Sequence, residues 1–419
     1  MDRIIIENVR CFRERQEVPL APLTFLVGEN STGKSTFLAL TRIAWDIATL
    51  GQANFNEEPF LLGAYDQIAS FRKKSKAEHF VIGWGHEIAT GRRQVLATSV
   101  LGEFTSSRSQ PTLRSWRFAA PPFGLVATYG TDERVTSLRA ETPSGSPEIN
   151  REFAKYFPLT PEWAVSALSI EGKGISSEDL ETLRKLVYWS NQRGVRPYAF
   201  APVRTKPSRT YDPVKEIIDP EGGHVPMILA GIRTRDEQSW FALRTALDEF
   251  GQASGLFGKV DVRRLGETES DPFQLQVAVG GMTVNLVDVG YGVSQILPIL
   301  VDCLRGESGG TFLLQQPEVH LHPKAQAALG SFLATLSKEQ GKRFLVETHS
   351  DYMVDRIRMD LRDKKHGLRP EDVQILYFER NAGGVNIHRI TFDELGNLQN
   401  VPTGYRRFFL EEERRLLGI

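Results

Sequence analysis

A glycine-rich loop near the N-terminus constrains this chain more than any other segment. Residues 28–35 read GENSTGKS and match the spacing G-x-x-x-x-G-K-[ST]. An apolar run, residues 24–27, precedes the loop, and a helical pattern follows from Lys34. This order of strand, loop and helix predicts a phosphate-binding loop, because its backbone N–H groups can surround anionic oxygens. We expect Lys34 to contact β- and γ-phosphates and the Ser35 hydroxyl to bind Mg²⁺.

Composition and charge narrow the class of protein. The 419 residues allow two or three domains, or one large domain with insertions, and the 41% hydrophobic content is that of a globular protein. Fifty-one Lys and Arg face 52 Asp and Glu, giving a net charge of −1. This balance excludes a chain whose bulk charge drives it onto nucleic acid, although a local basic patch stays open.

Cysteine usage and hydropathy predict a soluble cytoplasmic protein. The only cysteines are Cys11 and Cys303, which excludes a disulfide framework and a cysteine-based zinc site. No apolar run approaches the ~20 residues of a membrane span, and the N-terminus does not have the pattern of a signal peptide.

The remaining pattern predicts an α/β fold. Short β-like runs over residues 80–138 predict an antiparallel sheet, and Thr160 and Ser176 each begin a helical pattern. Residues 204–235 look loop-rich and basic, residues 238–251 helical, and Gly280-Gly281 the turn of a hairpin. Apolar strands alternate with helices in the last third, which predicts a mainly parallel core.

Three further motifs follow apolar segments. QQPEVHLHP ends the strand at residues 311–315, which we expect beside the phosphate-loop strand. VETHSD, residues 346–351, places His349 where it could contact a γ-phosphate, although a lone His is more often a surface or core residue. DVGYGVSQILP, residues 288–298, has Gly-x-Ser at a helix start, which is either a second anion-binding geometry or an ordinary β-to-α turn.

The phosphate loop and these three motifs, taken in their order along the chain, resemble the ABC-class ATPases of the SMC-, RecF- and OLD-like branch. ENVRCF and LTFLVGENSTGKST are similar to its N-terminal lobe, and VGYGVSQILPIL to its signature motif. PEVHLHP and ETHSDYMVDRIR resemble its Walker B/D-loop and switch-His segments, and VPTGYRRFFLEEERRLLG its C-terminal end. The resemblance covers residues 1–50 and about 285–419 and is looser between them.

The resemblance implies an ABC-ATPase head with a parallel phosphate-loop core sheet, an antiparallel β subdomain and a helical insertion. The expected regions are an N-terminal ATPase lobe over 1–145, a mainly helical insertion with a basic loop over 146–260, and a C-terminal ATPase lobe over 261–419. It also implies a head-to-tail dimer, or a higher oligomer, with ATP held between the phosphate loop of one copy and the signature segment of the other. His349 would be the switch residue, and residues 320–322 would form the D-loop.

The residues that the resemblance assigns to nucleotide contact are Asn30, Ser31, Thr32, Gly33, Lys34, Ser35, Thr36, Gln67, Gly292, Ser294 and Gln295. Gln67 is chosen as a Q-loop candidate by its position alone. The metal would be Mg²⁺, held by Ser35 and by the residue at position 315.

One departure from the branch concerns hydrolysis. Gln315 stands where the Mg²⁺-side acid is expected, and Gln316 where the catalytic Glu is expected. A glutamine can hydrogen-bond a water but cannot accept its proton, and general-base assistance is typically worth ~10²–10⁴ in rate. We therefore expect tight ATP binding and slow hydrolysis, unless Glu318 or His349 takes the catalytic role. Either the branch uses Gln here naturally, or a Glu has been replaced to trap ATP.

The leading functional hypothesis is a nucleotide-gated sensor and scaffold. We expect neither a TOPRIM nuclease domain nor a long coiled coil, so the chain resembles the ATPase subunits of two-gene anti-phage systems of the Septu and PARIS types. Such a subunit would control a separate nuclease or toxin. The alternative is a RecF- or SMC-like DNA-binding ATPase of repair or recombination, with DNA on the basic residues of 204–235 and 72–76, which otherwise are solvated loops. A transporter ATPase with a membrane partner ranks third.

Overall fold

The computed structural model describes residues 2–72, 75–89, 95–153, 160–172, 174–190, 194–213, 218–405, 411, 414, 415 and 417. The strands before residue 200 are β1 (Asp2–Glu7), β2 (Gln16–Leu20), β3 (Leu23–Gly28), β4 (Asn56–Glu57), β5 (Phe60–Leu61), β6 (Phe71–Arg72), β7 (Ser75–Lys76), β8 (Phe80–Ala89), β9 (Val95–Ser107), β10 (Gln110–Ala120), β11 (Phe123–Tyr129), β12 (Val135–Glu141), β13 (Glu148–Asn150) and β14 (Tyr198–Phe200). The later strands are β15 (Lys259–Arg264), β16 (Phe273–Val279), β17 (Met282–Asn285), β18 (Thr311–Gln315), β19 (Arg343–Glu347), β20 (Val373–Asn381), β21 (Gly384–Phe392) and β22 (Leu398–Gln399).

The helices complete the α/β fold. They are α1 (Lys34–Leu50), α2 (Tyr65–Ile68), α3 (Pro161–Glu171), α4 (Ser177–Ser190), α5 (Val225–Arg235), α6 (Glu237–Ser254), α7 (Tyr291–Arg305), α8 (Pro323–Gln340) and α9 (Asp351–Arg362). Short 3₁₀ turns lie at Leu286–Asp288, Lys365–Gly367 and Pro370–Asp372. Among the described residues, no helix combines the length and apolar character that crossing a bilayer would need.

A mainly parallel sheet forms the core, as predicted. Its order is β14-β18-β19-β3-β20-β21-β22, and β14, β18, β19, β3 and β20 run parallel to one another. The register aligns Gln315 with Glu347 and Glu347 with Leu26. The carboxyl ends of these strands therefore meet at one edge, which is where open α/β sheets bind ligands.

The expected position of the strand at 311–315 is wrong. This strand, β18, pairs with β14 and β19, whereas β3 pairs with β19 and β20. After α8 the chain enters β19 beside β3, and α9 then carries it to the other side of β3. The strand that neighbours the phosphate loop is thus the one that ends at Glu347.

The first helix lies between two sheets. The second sheet is antiparallel, with the order β13-β12-β11-β10-β9-β8-β1-β2, which confirms the antiparallel β subdomain. Phe37, Leu40 and Ile43 of α1 pack in one core with Ile82 of the antiparallel sheet and Leu26 of the parallel sheet. Because it is covered on both sides, α1 is apolar on most of its surface rather than along one stripe.

The opposite face of the parallel sheet carries a second core. Phe25 of β3 and Phe312 of β18 point there and pack with residues of α7, such as Leu297 and Leu300, and with Leu329 of α8. Successive residues of a strand face opposite sides, so neighbouring apolar residues serve different cores. This arrangement explains why the core strands are apolar throughout rather than alternating.

The predicted helical insertion, 146–260, is divided between the two cores. Helices α3 and α4 pack in the core around α1, whereas β14 extends the parallel sheet and α5 and α6 join the second core. The expectation of a loop over 204–235 is wrong for its last third, because the apolar residues of α5, among them Ile228 and Leu229, are buried.

Several local predictions are confirmed. Thr160 accepts a hydrogen bond from the N–H of Trp163 at 3.3 Å and begins α3. The hairpin of β16 and β17 turns at Gly280 and Gly281, with φ of 58° and 84°. Two successive positive φ values favour glycine strongly at such a turn.

An ion cluster at Asp2 joins the two sheets. Asp2, in the antiparallel sheet, is buried and binds Arg343 at the start of β19 and His86 of β8. Burial alone would raise the pKa of Asp2. The hydrogen bond from His86, together with the charge and hydrogen bond of Arg343, lowers the pKa by more than burial raises it. The net pKa lies well below the usual range, so the ionised carboxylate stabilises the fold.

We expect Asp2→Asn to lower the free energy of unfolding at pH 7 by about 1.5–3 kcal/mol, as for a hydrogen bond to a charged group. The wild-type contribution should be complete above about pH 4 and disappear as the pH falls through the lowered native pKa. Urea denaturation at pH 7 measures the loss in the variant, and denaturation at pH 3, below the unfolded pKa, measures the onset of the decline. The control Asp212→Asn, at an exposed position, should change stability by less than about 0.5 kcal/mol. Equal losses in the two variants would contradict this account.

Candidate nucleotide-binding site

At two positions the backbone of the phosphate loop has a conformation that only glycine fits. Gly28 has φ of 147°, and a Cβ there would lie 2.6 Å from the carbonyl oxygen of Phe378. Gly33 has φ of 93°, and a Cβ there would lie 2.5 Å from Sγ of Cys11. Helix α1 begins directly after Gly33 without a side-chain cap and without an acid in its first turn. Its first N–H groups are therefore available to an anion.

Lys34 fills the interior of this loop. Its side chain is almost fully buried, and Nζ donates to the carbonyl oxygens of Gly28 at 3.0 Å and Glu29 at 2.8 Å. Burial lowers the pKa of Lys34, and the charge of Glu347 raises it in part. Among the described residues the ammonium group thus donates to loop carbonyls, and phosphate oxygens would be stronger acceptors.

Ser35 is bonded to an acid that sequence reasoning did not assign. Its Oγ donates to Oε2 of Glu347 at 2.7 Å. Burial raises the pKa of Glu347, whereas the Ser35 hydroxyl and the charge of Lys34 lower it. Hydroxyl and carboxylate oxygens are ligands that Mg²⁺ accepts, so this pair fits the metal.

Gln315, the residue expected on the metal side, is turned to another partner. Its Nε2 donates to the carbonyl oxygen of Phe200 at 3.1 Å, and its side chain is buried. In the described part of the chain no three His, Cys, Asp or Glu side chains group as a metal site. In phosphate-binding proteins Mg²⁺ usually takes several ligands from phosphates and water.

The turn after β18 contains Gln316 and Glu318. Gln316 has φ of 42°, and its N–H donates to the carbonyl oxygen of Glu347 at 2.9 Å. Glu318 is buried, and its Oε1 accepts the N–H of His349 at 2.8 Å. Burial raises the pKa of Glu318. One carboxylate oxygen thus holds the backbone of the switch segment.

His349 lies exposed at the start of the turn after β19. Partial burial lowers its pKa, and the nearby charge of Lys34 lowers it further. The imidazole is therefore neutral at pH 7, and one ring nitrogen can donate a hydrogen bond. Glu347, Lys34 and His349 thus meet at the carboxyl edge of the parallel sheet.

The remaining loop residues contact the loop itself or its neighbours. Asn30 lines the cleft over the loop, and the carbonyl of Ser31 accepts a bond from Arg380. Thr32 donates through Oγ1 to the carbonyl oxygen of Glu29 at 2.8 Å.

Arg10 is a residue of the site that sequence reasoning missed. Its Nη1 donates to Oγ1 of Thr36 at 3.0 Å, and its Nε to the carbonyl oxygen of Gln67 at 3.1 Å. The side chain of Gln67 accepts the N–H of Ala64 at 2.9 Å, so it caps its own short helix. Arg10, rather than the Gln67 side chain, makes the hydrogen bond to Thr36 at the end of the loop. A single arginine after a strand carries no periodic signal that would reveal this position.

The signature segment forms a second surface. A Cβ on Gly292 would lie 2.7 Å from the carbonyl oxygen of His320, and the rings of Tyr291 and His320 meet with centroids 5.2 Å apart. Ser294 is buried and donates to the carbonyl oxygen of Tyr291 at 2.9 Å. Gln295 is also buried, with both ends of its amide bonded to Arg204. The signature turn and the predicted D-loop are therefore neighbours in one copy.

Two clefts lie at the two groups of candidate residues, one at the phosphate loop and one at the signature segment. One, of about 830 Å³, is lined by residues 27–30 at the start of the phosphate loop, by residues 348–351 and by Tyr377. The other, of about 630 Å³, is lined by Met282, residues 288–293 and His320. They share no lining residue, so within one chain the phosphate loop and the signature segment belong to separate surfaces.

The basic residues predicted as a DNA surface are mostly engaged. Arg204 is 2% exposed. The three that form ion pairs are Arg209 with Asp288, Arg233 with Asp261 and Arg235 with Glu269. Lys206 is exposed, whereas Lys215 and, in the second patch, Lys73 and Lys74 lie outside the described residues. Most of the C-terminal segment that resembles the ATPase branch, from 406 onwards, also lies outside them.

Residues 169–355 match the family described as "AAA domain, putative AbiEii toxin, Type IV TA system". The matched range contains the signature, QQPEVHLHP and THS motifs and excludes the phosphate loop. The match supports an ATPase domain of the AAA type. It covers less than half of the chain. No curated protein matches this chain.

Three solved structures of SMC heads share a weak likeness. The SmcHead bound to the C-winged helix domain of ScpA has a TM-score of 0.46 and 9% identity over 93% of this chain and 97% of that chain. The Smc head domain with an extended coiled coil, bound to the C-terminal domain of ScpA derived from Pyrococcus furiosus, has 0.42 and 9% over 100% and 99%. The SMC head domain from Thermotoga maritima has 0.38 and 12% over 92% and 97%. These TM-scores are low, so the fold assignment rests on the sheet order and motif positions above.

Proposed function

We propose that this chain binds ATP with Mg²⁺ at the phosphate loop. The observation that carries the proposal is the meeting of an uncapped helix start, the buried Lys34, the Ser35–Glu347 pair and an exposed His349 at one sheet edge. Backbone N–H groups and the ammonium would bind the β- and γ-phosphates, and His349 lies where it could contact the terminal phosphate.

Two copies would complete the nucleotide site. The signature surface lies in a cleft apart from the phosphate loop, and α7 begins there at Gly290 without a side-chain cap or an acid in its first turn. A second copy arranged head to tail would bring this helix start, with Gly292, to the nucleotide of the first, while the buried Ser294 would hold the turn through its bond to the carbonyl oxygen of Tyr291. Gln295 would act from behind, through Arg204, because its side chain is buried.

Hydrolysis in this site would be slow. Ser35 and Glu347 would hold Mg²⁺, which when bound would neutralise part of the phosphate charge. Gln316 holds the position of the general base and cannot take a proton from water. Glu318, the nearest alternative base in sequence, already binds the N–H of His349. ATP would thus hold the dimer long enough to act as a signal.

The biological role we propose is a nucleotide-gated sensor and scaffold of a two-component defence system. The matched family description names a toxin and a TA system, which supports a defence setting. A separate nuclease or toxin would respond to the ATP-bound dimer, because ATP shifts the population towards the state it binds better. Strong nuclease activity in the purified chain alone would contradict this role.

The DNA-binding alternative has less support. Of the basic residues that motivated it, Arg204 is buried and three others form ion pairs with acids. Binding of DNA that weakens steeply with salt and strengthens with ATP would favour it instead.

Sedimentation velocity tests the dimer. We expect ATP with Mg²⁺ to convert the wild-type chain from monomer to dimer and Lys34→Ala to abolish the shift, because the lost ammonium binds the bridging phosphates. Lys185→Ala, which removes an exposed lysine of α4, should dimerise like the wild type. A shift that persists in Lys34→Ala would show that the assigned site is wrong.

Titration with Mg²⁺ tests the role of Glu347. We expect Glu347→Gln to raise the Mg²⁺ concentration for half-maximal ATP binding about 10- to 100-fold, as removal of a metal-site partner usually does. Gln315→Leu should leave this concentration unchanged, because the Gln315 amide donates to Phe200. The reverse pattern would assign the metal to position 315.

Single-turnover hydrolysis tests the missing base. We expect Gln316→Glu to raise the rate by ~10²-fold or more, since it restores a group that can accept the proton of the attacking water. Gln110→Glu, at an exposed hairpin position, controls for added charge and should have no effect. No gain in Gln316→Glu would mean that another residue or step limits the rate.

A further inference from the structure

Arg204 is a buried cation with hydrogen-bonding capacity to spare. It follows β14 and is 2% exposed, and Nη2 donates to the carbonyl oxygen of Gln315 at 3.1 Å. Nε and Nη1 have no hydrogen-bond partner in the described part of the chain. Unmade bonds on a buried guanidinium are costly, so such a residue is rarely kept for packing alone.

Glu318 is its counter-charge and is also incompletely bonded. Oε1 accepts the N–H of His349 and the Thr348 side chain also stabilises the carboxylate, while Oε2 has no partner of good hydrogen-bond geometry among the described residues. The charge of Glu318 raises the pKa of Arg204, against the larger lowering effect of burial, which brings it to about 10. Arg204 therefore carries its charge at pH 7, whereas burial raises the pKa of Glu318. Each has a free hydrogen-bonding atom, so a small movement could give the pair a second arrangement.

The backbone of Arg204 is held by the signature helix. Oε1 of Gln295 accepts the N–H of Arg204 at 3.2 Å, and Nε2 of Gln295 donates to its carbonyl oxygen at 3.4 Å. Gln295 lies in the first turns of α7, close behind the surface proposed to meet the partner's nucleotide. Arg204 therefore connects α7 to the end of β18, and the turn that follows β18 bears Glu318, which holds the N–H of His349 after β19.

We infer that Arg204 is a positioning residue that couples the two nucleotide sites of the dimer. Contact between α7 and the partner's nucleotide would shift Gln295 and Arg204, and Arg204 would then set how Glu318 holds the His349 segment at this copy's own phosphate loop. Nucleotide bound at one site would thereby control hydrolysis at the other. The inference rests on the proposed function and adds a route between sites that are separate in one chain.

The experiment compares ATP-driven dimerisation with hydrolysis at the same protein concentrations. In the wild type, the hydrolysis rate per chain should rise as the dimer forms. In Arg204→Gln the dimer should form at the same ATP concentration, within about 2-fold. The increase in hydrolysis rate on dimerisation should be about 10-fold smaller than in the wild type, which lies within the usual range for coupling residues.

Two further variants separate coupling from folding. Arg204→Gln removes a cation whose pKa responds to the buried Glu318, so Arg204→Gln/Glu318→Gln, in which that carboxyl group is also replaced by an amide, protects against simple unfolding. The double variant should dimerise and should also lack the increase in hydrolysis rate. Arg114→Gln removes a guanidinium whose side chain is 60% exposed and should behave like the wild type.

The contradicting outcomes are distinct. If the wild type does not dimerise with ATP, the proposed function is wrong and the inference falls with it. If the wild type dimerises and both Arg204 variants keep the full rise, the inference alone is wrong. If the double variant fails to dimerise, Arg204 supports the shape of α7 itself, which also overturns the coupling role.

Discussion

The pairing of β3 between β19 and β20 is the constraint on which the site depends. It places the phosphate loop beside the strand that ends at Glu347, so the Ser35 hydroxyl reaches that carboxylate at 2.7 Å. The same pairing sets His349 next to Lys34, whose charge lowers the pKa of His349. Helix α1, buried between both sheets, fixes the direction of the loop. The chemistry of the edge follows from the strand order rather than from any one motif.

Buried charge connects this edge to the rest of the molecule. Burying Arg204 costs free energy and lowers its pKa, and the charge of Glu318 offsets this effect only in part. The pair nevertheless lies where the signature helix, β18 and β19 converge. A connection at this point gives the two clefts of one copy a common mechanical element.

Local features of the site were predictable from sequence, and non-local ones were not. The phosphate loop is defined by spacing and by its flanking strand and helix, all within residues 23–50. The strand order depends on pairings between distant segments, so the neighbour of β3 was misplaced. Glu347 was set aside as a metal ligand, because its contact with Ser35 exists only in that order. Arg204 was grouped with exposed basic residues, since a charged residue in a polar loop gives no sign of burial.

Calorimetric titration of the wild-type chain with ATP in the presence of Mg²⁺ tests the central claim most directly. The account predicts saturable heat with one nucleotide bound per chain, because each copy contributes one phosphate loop to a shared pair of sites. The absence of binding heat at two temperatures would contradict it. The second temperature excludes the case in which the binding enthalpy happens to be zero at the first.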